Sequence, residues 1–359
     1  MKMSLTLTER GTVVKGHRPT LKDIARLSGF SVGTVDRALH GRREINPQTR
    51  QRVLEVAQAL GYQTNCVASV LSRKKPLVFA AIFPRELHYF YDDLRRGFQE
   101  AMYRLAPFKV VPLSKEVKGL GQGEEEVLET LFREEVSGVV FAPGHRSRLN
   151  QFIDRFAEKN VPVITVSTDA PESKRLTAVY VDPYKNGELA GELMGHFLAL
   201  GSRVAVMVGS LEIEDHFQKV RGFQRGILAA CKDIEIVGVW ENEENEELAR
   251  HNFVRIIQRY PDLGGIYIAT ANSIAVCRAI EEMGREKTLR VITTDLFQEI
   301  IAYIEKGVIQ ATIFQNPYRQ GFEATMLLFR FLMEGIVPPP CYYLEPIVVM
   351  KSNMGFYFS

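Results

Sequence analysis

Polar and aromatic side chains recur just after the apolar runs in the C-terminal three quarters of the sequence, where they could bind a small molecule. Carboxylate and amide groups hydrogen-bond hydroxyl groups, and aromatic rings cover apolar faces. We expect a ligand to be bound by His88, Phe90 and Tyr91 after "LVFAAIF", Ser167 and Asp169 after "VPVITV", Asp215, His216 and Phe217 after "RVAVMV", Asn272 after "GGIYIA", Asp295 after "LRVITT", and Gln315 after "VIQATIF".

The common catalytic motifs are absent from the sequence. It contains no HExxH, GxSxG or Walker-type pattern, and "GLGQGE" at 119–124 lacks the third glycine of a phosphate-binding loop, so it reads as a surface loop. The four cysteines are widely spaced, which predicts reduced, mostly buried thiols rather than a metal site. We therefore expect a binding protein rather than an enzyme, with neither a metal nor another cofactor.

A second group of residues that could do chemistry lies in a basic segment near the N-terminus. Residues 18–75 carry eleven Lys and Arg against four Asp and Glu, whereas the sequence after residue 75 is net acidic. That asymmetry indicates a polyanion partner. Within "SVGTVDRAL", Arg37 could bond a guanine in bidentate fashion, Val32 could contact a thymine methyl group, and Gly33 would let the backbone approach DNA.

Three short helices joined by tight turns are predicted around these residues. Thr20 is a good N-cap for a first helix that Gly29 ends, Ser31 can cap a second, and Asn46-Pro47 starts a third. This pattern is typical of a helix-turn-helix module, whose second helix lies in the major groove. The alternative is a small three-helix domain with a charged solvent face. The DNA-binding candidates in this module are Thr20, Ser31, Val32, Gly33, Thr34, Asp36 and Arg37.

The stretch "TLKDIARLSGFSVGTVDRALHGRREINPQTRQRVLEVAQALGYQTNCVASVLSRKK" resembles, without gaps, the DNA-binding segment of the LacI family. The resemblance implies a short linker helix at about 65–72 that orders on DNA and inserts a leucine into the minor groove. It adds Asn65 and Leu71 to the DNA-binding candidates, and such a wedge fits partial unstacking of the duplex. The sequence departs from the family at Asp36, where serine is usual. A carboxylate repels phosphate and accepts only from groups such as cytosine N4, so Asp36 bears on the base preference.

Apolar runs alternate with amphipathic stretches throughout the sequence after residue 75. That alternation is typical of βαβ units on buried parallel sheets. The length of this part exceeds what one compact layer usually takes, which predicts two sheets with a cleft between them. Ligands of such folds bind beyond the carboxyl ends of the strands, where the candidate residues would meet.

This body is similar to periplasmic receptors of the ribose-binding type, which form the effector domain of many LacI-type regulators. The similarity is clearest in "YFYDDLRRGF", "PVITVSTDAPESKR" and "ITTDLFQEIIAYIEKGVIQATIFQNP". It implies that aromatics after the first strand stack on a sugar ring and that Asp295, Gln315 and Asn316 bond its hydroxyls. Phe217 stands where an arginine is usual, which argues against an anionic ligand and leaves Asp215 and His216 as substitutes.

The expected fold class is a small all-α helix-turn-helix domain followed by a two-subdomain, periplasmic-binding-protein-like (type I) α/β body. The expected divisions are a flexible tail at 1–17, the DNA-binding domain at 18–64, a hinge or linker helix at 65–75, and a ligand-binding and dimerisation domain at 76–359. Within the last, one subdomain is expected at about 76–180 plus 296–325, and the other at about 181–295 plus 326–359.

These features favour a sequence-specific transcriptional regulator, a repressor whose affinity for double-stranded operator DNA is controlled by a small sugar or polyol in the cleft. We expect a homodimer, or else a tetramer. We expect it in the cytoplasm, associated with the nucleoid, because no apolar run reaches the roughly 18 residues that span a membrane. The alternative is a solute-binding receptor of a transport system without a DNA-binding role. Such a receptor needs an export signal and has no use for a helix-turn-helix.

Overall fold

A computed structural model describes residues 19–39, 45–60, 62, 75–230, 233–270 and 272–357. The expected N-terminal tail lies outside these residues. So does the expected linker helix, including Asn65 and Leu71, apart from its last residue. Within the described part of the chain, no helix is both long and apolar enough to cross a membrane.

Among its described residues, the N-terminal unit has three helices, α1 (Leu21–Ser28), α2 (Val32–Leu39) and α3 (Pro47–Ala59). A capping box begins α1, because the backbone N–H of Thr20 donates to Asp23 Oδ2 at 2.9 Å while the Asp23 N–H donates to Thr20 Oγ1 at 3.4 Å. Gly29 ends α1 in the left-handed conformation with φ 78°. The core of the unit consists of Ile24, Val35, Ala38, Val53, Val56 and Ala57. The predicted three-helix module is confirmed.

The first subdomain of the body is built on a parallel sheet. Its strands are β1 (Leu77–Pro84), β2 (Val110–Val117), β3 (Gly138–Phe141), β4 (Val163–Val166), β5 (Thr177–Val181) and β11 (Cys341–Leu344), in the order β11-β5-β4-β3-β1-β2. Its helices are α4 (His88–Leu105), α5 (Glu124–Arg133), α6 (Asn150–Glu158) and α12 (Pro317–Glu334). Branched and aromatic residues fill both faces of the central strands, as expected where helices cover a parallel sheet.

The second subdomain has a sheet in the order β12-β10-β9-β8-β6-β7, in which only β12 runs antiparallel to its neighbour. The strands are β6 (Arg203–Val208), β7 (Glu235–Glu241), β8 (Leu263–Ile268), β9 (Arg290–Thr294), β10 (Ala311–Phe314) and β12 (Ile347–Val349). The helices are α7 (Pro183–Phe197), α8 (Glu214–Ala229), α9 (Glu246–Arg259), α10 (Ile274–Glu282) and α11 (Ile301–Lys306). Both sheets agree with the predicted α/β body.

The strand pairing divides the chain differently from the expected subdomain boundaries. The expected division put 296–325 in the first subdomain, but β10 pairs with β9 and β12 in the second sheet. It also put 326–359 in the second, but β11 pairs with β5 in the first sheet. The chain therefore crosses between the subdomains three times, after β5, after β10 and between β11 and β12. Periodicity locates strands but does not say which strands pair, and this is why the boundaries differed.

Glycines let helix α8 approach α7 at backbone distance. A Cβ added to Gly187 would lie 2.0 Å from the carbonyl oxygen of Lys219, and one added to Gly222 would lie 1.9 Å from that of Tyr184. Real Cβ atoms do not tolerate such distances, so both positions require glycine. This close contact sets the position of α8, whose first turns carry charged side chains of the site.

Candidate functional site

A cavity lies between the two subdomains at the carboxyl ends of their strands. Its volume is about 40 Å³, which is room for roughly three water molecules. The first subdomain contributes Leu87, Phe90, Tyr91, Leu120, Ser167 and Thr168, and the second contributes Ile213, Asp215, His216, Lys219, Glu244, Thr270, Thr294, Asp295 and Gln315. Polar groups thus converge from at least six strand ends, as in the crevices where α/β folds bind ligands.

Asp295 and Gln315 form one wall of the cavity. They follow the neighbouring strands β9 and β10, and the Gln315 side-chain nitrogen donates to Asp295 Oδ1 at 3.1 Å and Oδ2 at 2.9 Å. Burial raises the pKa of the Asp295 carboxyl to about 7, although Lys219 acts in the opposite direction. The pair offers a hydrogen-bond acceptor beside an amide oxygen, a combination that suits hydroxyl groups.

Asp215 and Lys219 lie one turn apart on α8 and form a buried ion pair. Lys219 Nζ is 2.6 Å from Asp215 Oδ2, and the two residues are 1% and 6% exposed. The backbone N–H of Asp215 donates to Thr168 Oγ1 of the opposite subdomain at 3.4 Å. Asp215 Oδ1 is buried without a hydrogen-bond partner among the described residues, which is costly for a carboxylate oxygen.

His216 and Glu244 face each other on the same side of the cavity. His216 Nε2 lies 3.5 Å from Glu244 Oε1, and the Thr270 hydroxyl donates to Glu244 Oε2. The Ser210 N–H lies 3.3 Å from His216 Nδ1. His216 Nδ1 also lies 3.3 Å from the Ser210 carbonyl oxygen, so the tautomer decides whether this nitrogen accepts or donates. Glu244 thus accepts from a threonine hydroxyl and lies within ion-pair distance of an imidazole.

Phe90 and Tyr91, on the first turn of α4, form the apolar wall. Both are buried, and their rings meet edge to face with centroids 5.1 Å apart. The Tyr91 hydroxyl is hydrogen-bonded to Ser167, and burial raises its pKa. An aromatic face opposite carboxylate and amide groups suits a ligand with one apolar and one polar face.

Strained backbone conformations concentrate around the cavity. Leu87, Ser167, Glu244 and Asp295 all line it, and all have positive φ, at 56°, 65°, 55° and 69°. Such conformations cost of order 1–3 kcal/mol for residues with a Cβ and cluster at binding sites. No feature of the sequence predicted them.

The entrance of the cleft forms a larger space of about 260 Å³. Here His145 Nε2 of the first subdomain lies 2.9 Å from Glu212 Oε2 of the second, and the Arg146 N–H donates to the Glu212 carbonyl at 3.1 Å. The loop "GLGQGE" borders this entrance. Glu124 secures the loop by accepting hydrogen bonds from the N–H groups of Gly121 at 3.0 Å and Gly144 at 2.8 Å.

Of the predicted ligand-binding residues, the structure brings together Phe90, Tyr91, Ser167, Asp215, His216, Asp295 and Gln315. It does not bring the other four to the cavity. His88 is exposed beside Tyr89, and Asn272 is buried outside the lining. Asp169 pairs with Arg175. The ring of Phe217 lies against the Arg146 guanidinium, with 4.3 Å from the ring centre to Cζ. His88 and Phe217 point away because neighbouring helical residues differ in direction by about 100°. Asn316, which the resemblance added, caps α12 by accepting from the Arg319 N–H.

The sequence reasoning missed Lys219, Glu244 and the lining threonines Thr168, Thr270 and Thr294. Lys219 could have been found, because it follows Asp215 at the i,i+4 spacing that places two side chains on one face of a helix. Thr294 and Thr270 sit at strand ends, but threonine there is too common to single out. Glu244 lies in the acidic run "ENEENEE", which looks like a solvated loop.

The candidate DNA-binding face lies at the start of α2. Val32, Gly33 and Arg37 are exposed there, whereas Thr34 and Asp36 are half-buried. Arg37 Nε donates to the carbonyl of Gly33 at 3.2 Å, which holds the guanidinium beside the first turn. Ser31 Oγ caps the helix by accepting from the backbone N–H of residue 34 at 3.1 Å, and the exposed Thr20 caps α1.

Comparisons with known proteins agree with both parts of this description. Residues 79–335 match the model of the periplasmic binding protein domain family, and residues 20–65 match that of bacterial regulatory proteins, lacI family. The HTH-type transcriptional regulator DegA of Bacillus subtilis is 23% identical, over 74% of this chain and 76% of DegA. Catabolite control protein A of Priestia megaterium is 27% identical, over 58% of this chain and 60% of that protein.

Solved structures share the fold of the body. The glucose-galactose binding protein GanP of Geobacillus stearothermophilus superposes with a TM-score of 0.71 at 26% identity, covering 78% of this chain and 99% of GanP. A solute binding protein of Burkholderia graminis, solved in complex with D-arabinose, superposes with a TM-score of 0.73 at 20% identity, covering 80% of this chain and 100% of that protein. At 20% identity, the likeness to the Burkholderia protein shows a shared fold and nothing more.

Proposed function

The chain belongs to the lacI family of bacterial regulatory proteins, with a periplasmic binding protein domain as its body, and on this premise we propose that it is a repressor controlled by a small sugar or polyol. It is a DNA-binding transcriptional regulator. The effector binds in the cleft between the two subdomains. The alternative of a transport receptor leaves the helix-turn-helix without a purpose.

The observation that carries the effector proposal is the composition of the cavity wall. Asp295 and Gln315 present acceptors and an amide opposite the aromatic side chains of Phe90 and Tyr91. A sugar has hydroxyl groups around its edge and apolar C–H groups on its ring faces, so it complements both walls. GanP, which binds glucose and galactose by its name, supports this ligand class.

The cleft must open before an effector can enter. A cavity of about 40 Å³ holds a few water molecules, not a sugar. A ligand therefore enters a more open form, and the form closed on the ligand must leave more space between the two walls than the described cavity does. Ligand and operator then change each other's affinity by the same factor, whichever sign the coupling has.

The operator is proposed to be a near-palindrome bound by a homodimer. One recognition helix reads only a few base pairs, and a two-fold protein matches a two-fold site. Arg37, exposed on α2, would make the guanine contact and Val32 the thymine contact. Asn65 and Leu71 remain proposed contacts of the linker segment.

A ligand screen followed by a DNA titration tests this function. Sugars, polyols and nucleosides are screened by thermal shift, because a ligand that binds only the folded state raises the Tm. Operator fragments selected from genomic DNA are then titrated with and without the best ligand. We expect a sugar or polyol to bind and to change the operator affinity. An operator affinity that is indifferent to a saturating ligand would refute the switch.

A further inference from the structure

The cavity carries an excess of negative charge. Among the described residues that line it, Asp215, Glu244 and Asp295 contribute three carboxylates against the single ammonium of Lys219. The remaining polar lining consists of hydroxyls, an amide and the imidazole of His216. A site built for neutral sugars needs hydrogen-bond donors and acceptors, but it does not need uncompensated charge, which is costly to bury.

The ammonium group of Lys219 is already engaged. It lies 2.6 Å from Asp215 Oδ2, and this pair accounts for one of the three carboxylates. Asp295 is bonded by the neutral amide of Gln315, and Glu244 by the hydroxyl of Thr270. Neutral donors satisfy hydrogen bonds but leave the charge of a carboxylate in place. Asp295 and Glu244 therefore have no ammonium or guanidinium group within ion-pair distance among the described lining residues, and Glu244 has only the imidazole of His216, at 3.5 Å.

Asp215 provides a second, independent sign of a missing donor. Its Oδ1 is buried without a hydrogen-bond partner among the described residues, and the residue, 6% exposed, lines the cavity. An unsatisfied buried acceptor destabilises the closed cleft unless something donates to it. A ligand with a donor at this position removes that cost.

The entrance of the cleft has the same character. Glu86, Glu212, Glu243 and Glu244 line it together with Arg148 and His145. Arg148 is paired with Glu125 at 2.8 Å, and His145 with Glu212 at 2.9 Å. Glu86 lies 3.9 Å from Lys118 Nζ, so the lining has both signs of charge with an excess of carboxylates, and such an excess between low-dielectric walls concentrates cations.

We propose that the effector is a small polyhydroxyl compound bearing a protonated amine, an amino sugar or amino polyol, whose ammonium group is held by the carboxylates of Asp215 and Asp295. This inference rests on the proposed function, because it names the ligand class of the same cleft. The hydroxyl groups still bond Gln315 and the threonines, and the aromatic wall still covers the apolar face. The added element is a cation that balances the acids and donates to Asp215 Oδ1.

Amine binding has a signature that neutral sugars lack. Burial and the nearby Asp215 raise the pKa of Asp295 to about 7, so near neutral pH this carboxyl is partly protonated. An ammonium group beside it favours the charged form, and binding then releases protons. A neutral sugar has no charge that favours ionisation of Asp295, so its binding has no such electrostatic cause of proton release.

Isothermal titration calorimetry of the full chain with matched compounds tests the proposal. D-Glucosamine, D-galactosamine and D-mannosamine are each compared with the parent hexose and with the N-acetylated derivative, in two buffers of different ionisation enthalpy at pH 7. We expect one amine to bind at least about tenfold more tightly than both neutral counterparts, because a partly buried charge pair is worth more than the roughly 1.4 kcal/mol that tenfold represents. We also expect its heat to depend on the buffer, which reports proton release.

Asp295→Asn assigns the charge effect to the cavity. This variant keeps a side-chain acceptor and the shape of the residue but removes the charge, so the amine preference should fall at least about tenfold and the proton release should disappear. Asp262→Asn is the matched control, since Asp262 is an exposed carboxylate paired with Arg203 at the opposite ends of the strands. Asp262→Asn should leave the amine preference and the proton release unchanged. A thermal melt of each variant verifies folding.

The outcomes separate this inference from the proposed function. A neutral hexose that binds as tightly as its amine and shifts operator affinity overturns the inference and leaves the function standing. An amine that binds preferentially without affecting operator affinity supports the inference and removes the function. If no amine binds, or if Asp295→Asn retains the amine preference, the inference is wrong.

Discussion

Tyr89 and Phe297 stack across the cleft, with ring centroids 4.7 Å apart and an interplanar angle of 19°. Tyr89 belongs to α4 of the first subdomain, and Phe297 follows β9 of the second. The stack therefore joins the subdomains on one side of the cavity, while His145 and Glu212 join them at the entrance. Both contacts join the two subdomains directly, so separating the subdomains would break them and they favour closure.

Phe297→Ala should weaken effector binding without changing the residues that bond the effector. The stack is worth about 0.5–1.5 kcal/mol beyond the buried area, so affinity should fall roughly twofold to tenfold through a lower population of the closed form. Calorimetry with the best ligand of the screen measures this. Phe356→Ala, at an aromatic that is 87% exposed, is the control and should have no effect. Equal loss in both variants would contradict a role for the stack.

Asp295→Ala should weaken effector binding strongly while operator binding is retained. The substitution removes an acceptor from a closed cavity, and hydrogen bonds to charged groups contribute about 1.5–3 kcal/mol each, so affinity should fall at least about tenfold. The DNA-binding unit is untouched. Calorimetry measures the affinity for the ligand, and fluorescence anisotropy measures the affinity for the operator. Undiminished ligand affinity would remove Asp295 from the site.

Arg37→Ala should cost about 1–3 kcal/mol at one symmetric base pair of the operator if Arg37 bonds a guanine in bidentate fashion. A selection from randomised duplexes should show relaxed preference at that position only. Arg52→Ala, at an exposed arginine of α3 with its own partner Glu55, is the comparison and should leave the preference unchanged. A uniform loss across all sequences would indicate a phosphate contact for Arg37 instead.

Glu124→Gln should change how stability depends on pH. Burial raises the pKa of Glu124 in the folded state from 4.5 to about 7, so the folded protein holds this proton more tightly than the unfolded chain. Its stabilisation is present at low pH and is lost as the pH rises from about 4.5 through 7. Gln keeps the acceptor for the Gly121 and Gly144 N–H groups and does not ionise. Relative to the parent, the variant should gain up to about 3 kcal/mol between pH 5 and pH 8. Urea unfolding at both pH values measures this, and a constant difference would contradict it.

Gly187→Ala should destabilise the body, because its Cβ would lie 2.0 Å from the Lys219 carbonyl oxygen. The helices must separate, at a cost of about 1–3 kcal/mol, and the Asp215–Lys219 pair on α8 must shift with them. We expect a lower Tm together with weaker effector binding. Gly355→Ala, where a Cβ meets nothing within 4 Å, provides the control. An unchanged Tm at position 187 would show that α7 and α8 can separate freely.

Strand ends were predictable from the sequence, but side-chain direction was not. Asp295 and Gln315 were found because both follow apolar runs and adjacent parallel strands end at one edge. The same rule selected Asp169, yet its carboxylate turns to Arg175, six residues later in the same loop. The rule identifies positions near the site, and the local backbone then decides which of them face it.

Long-range pairing was the second element that the sequence did not predict. The position of β11 in the first sheet and of β12 in the second depends on hydrogen bonds to strands more than 30 residues away in the chain. Nothing in "CYYLEPIVV" distinguishes the two short runs. The helix-turn-helix was easier to predict from the sequence, because caps, glycine stops and the apolar stripe act within a few residues.

The three crossings of the chain between the subdomains restrict how the cleft can move. Paired strands flank these crossings, β5 with β11 in the first sheet and β10 with β12 in the second, so the crossings favour a rotation about an axis through them over sliding or twisting. Gln315 lies in the second crossing and also lines the cavity. A ligand bonded to Gln315 therefore acts directly on the axis of rotation. One distance, between labels on opposite lips of the cleft, is enough to report the whole conformational coordinate.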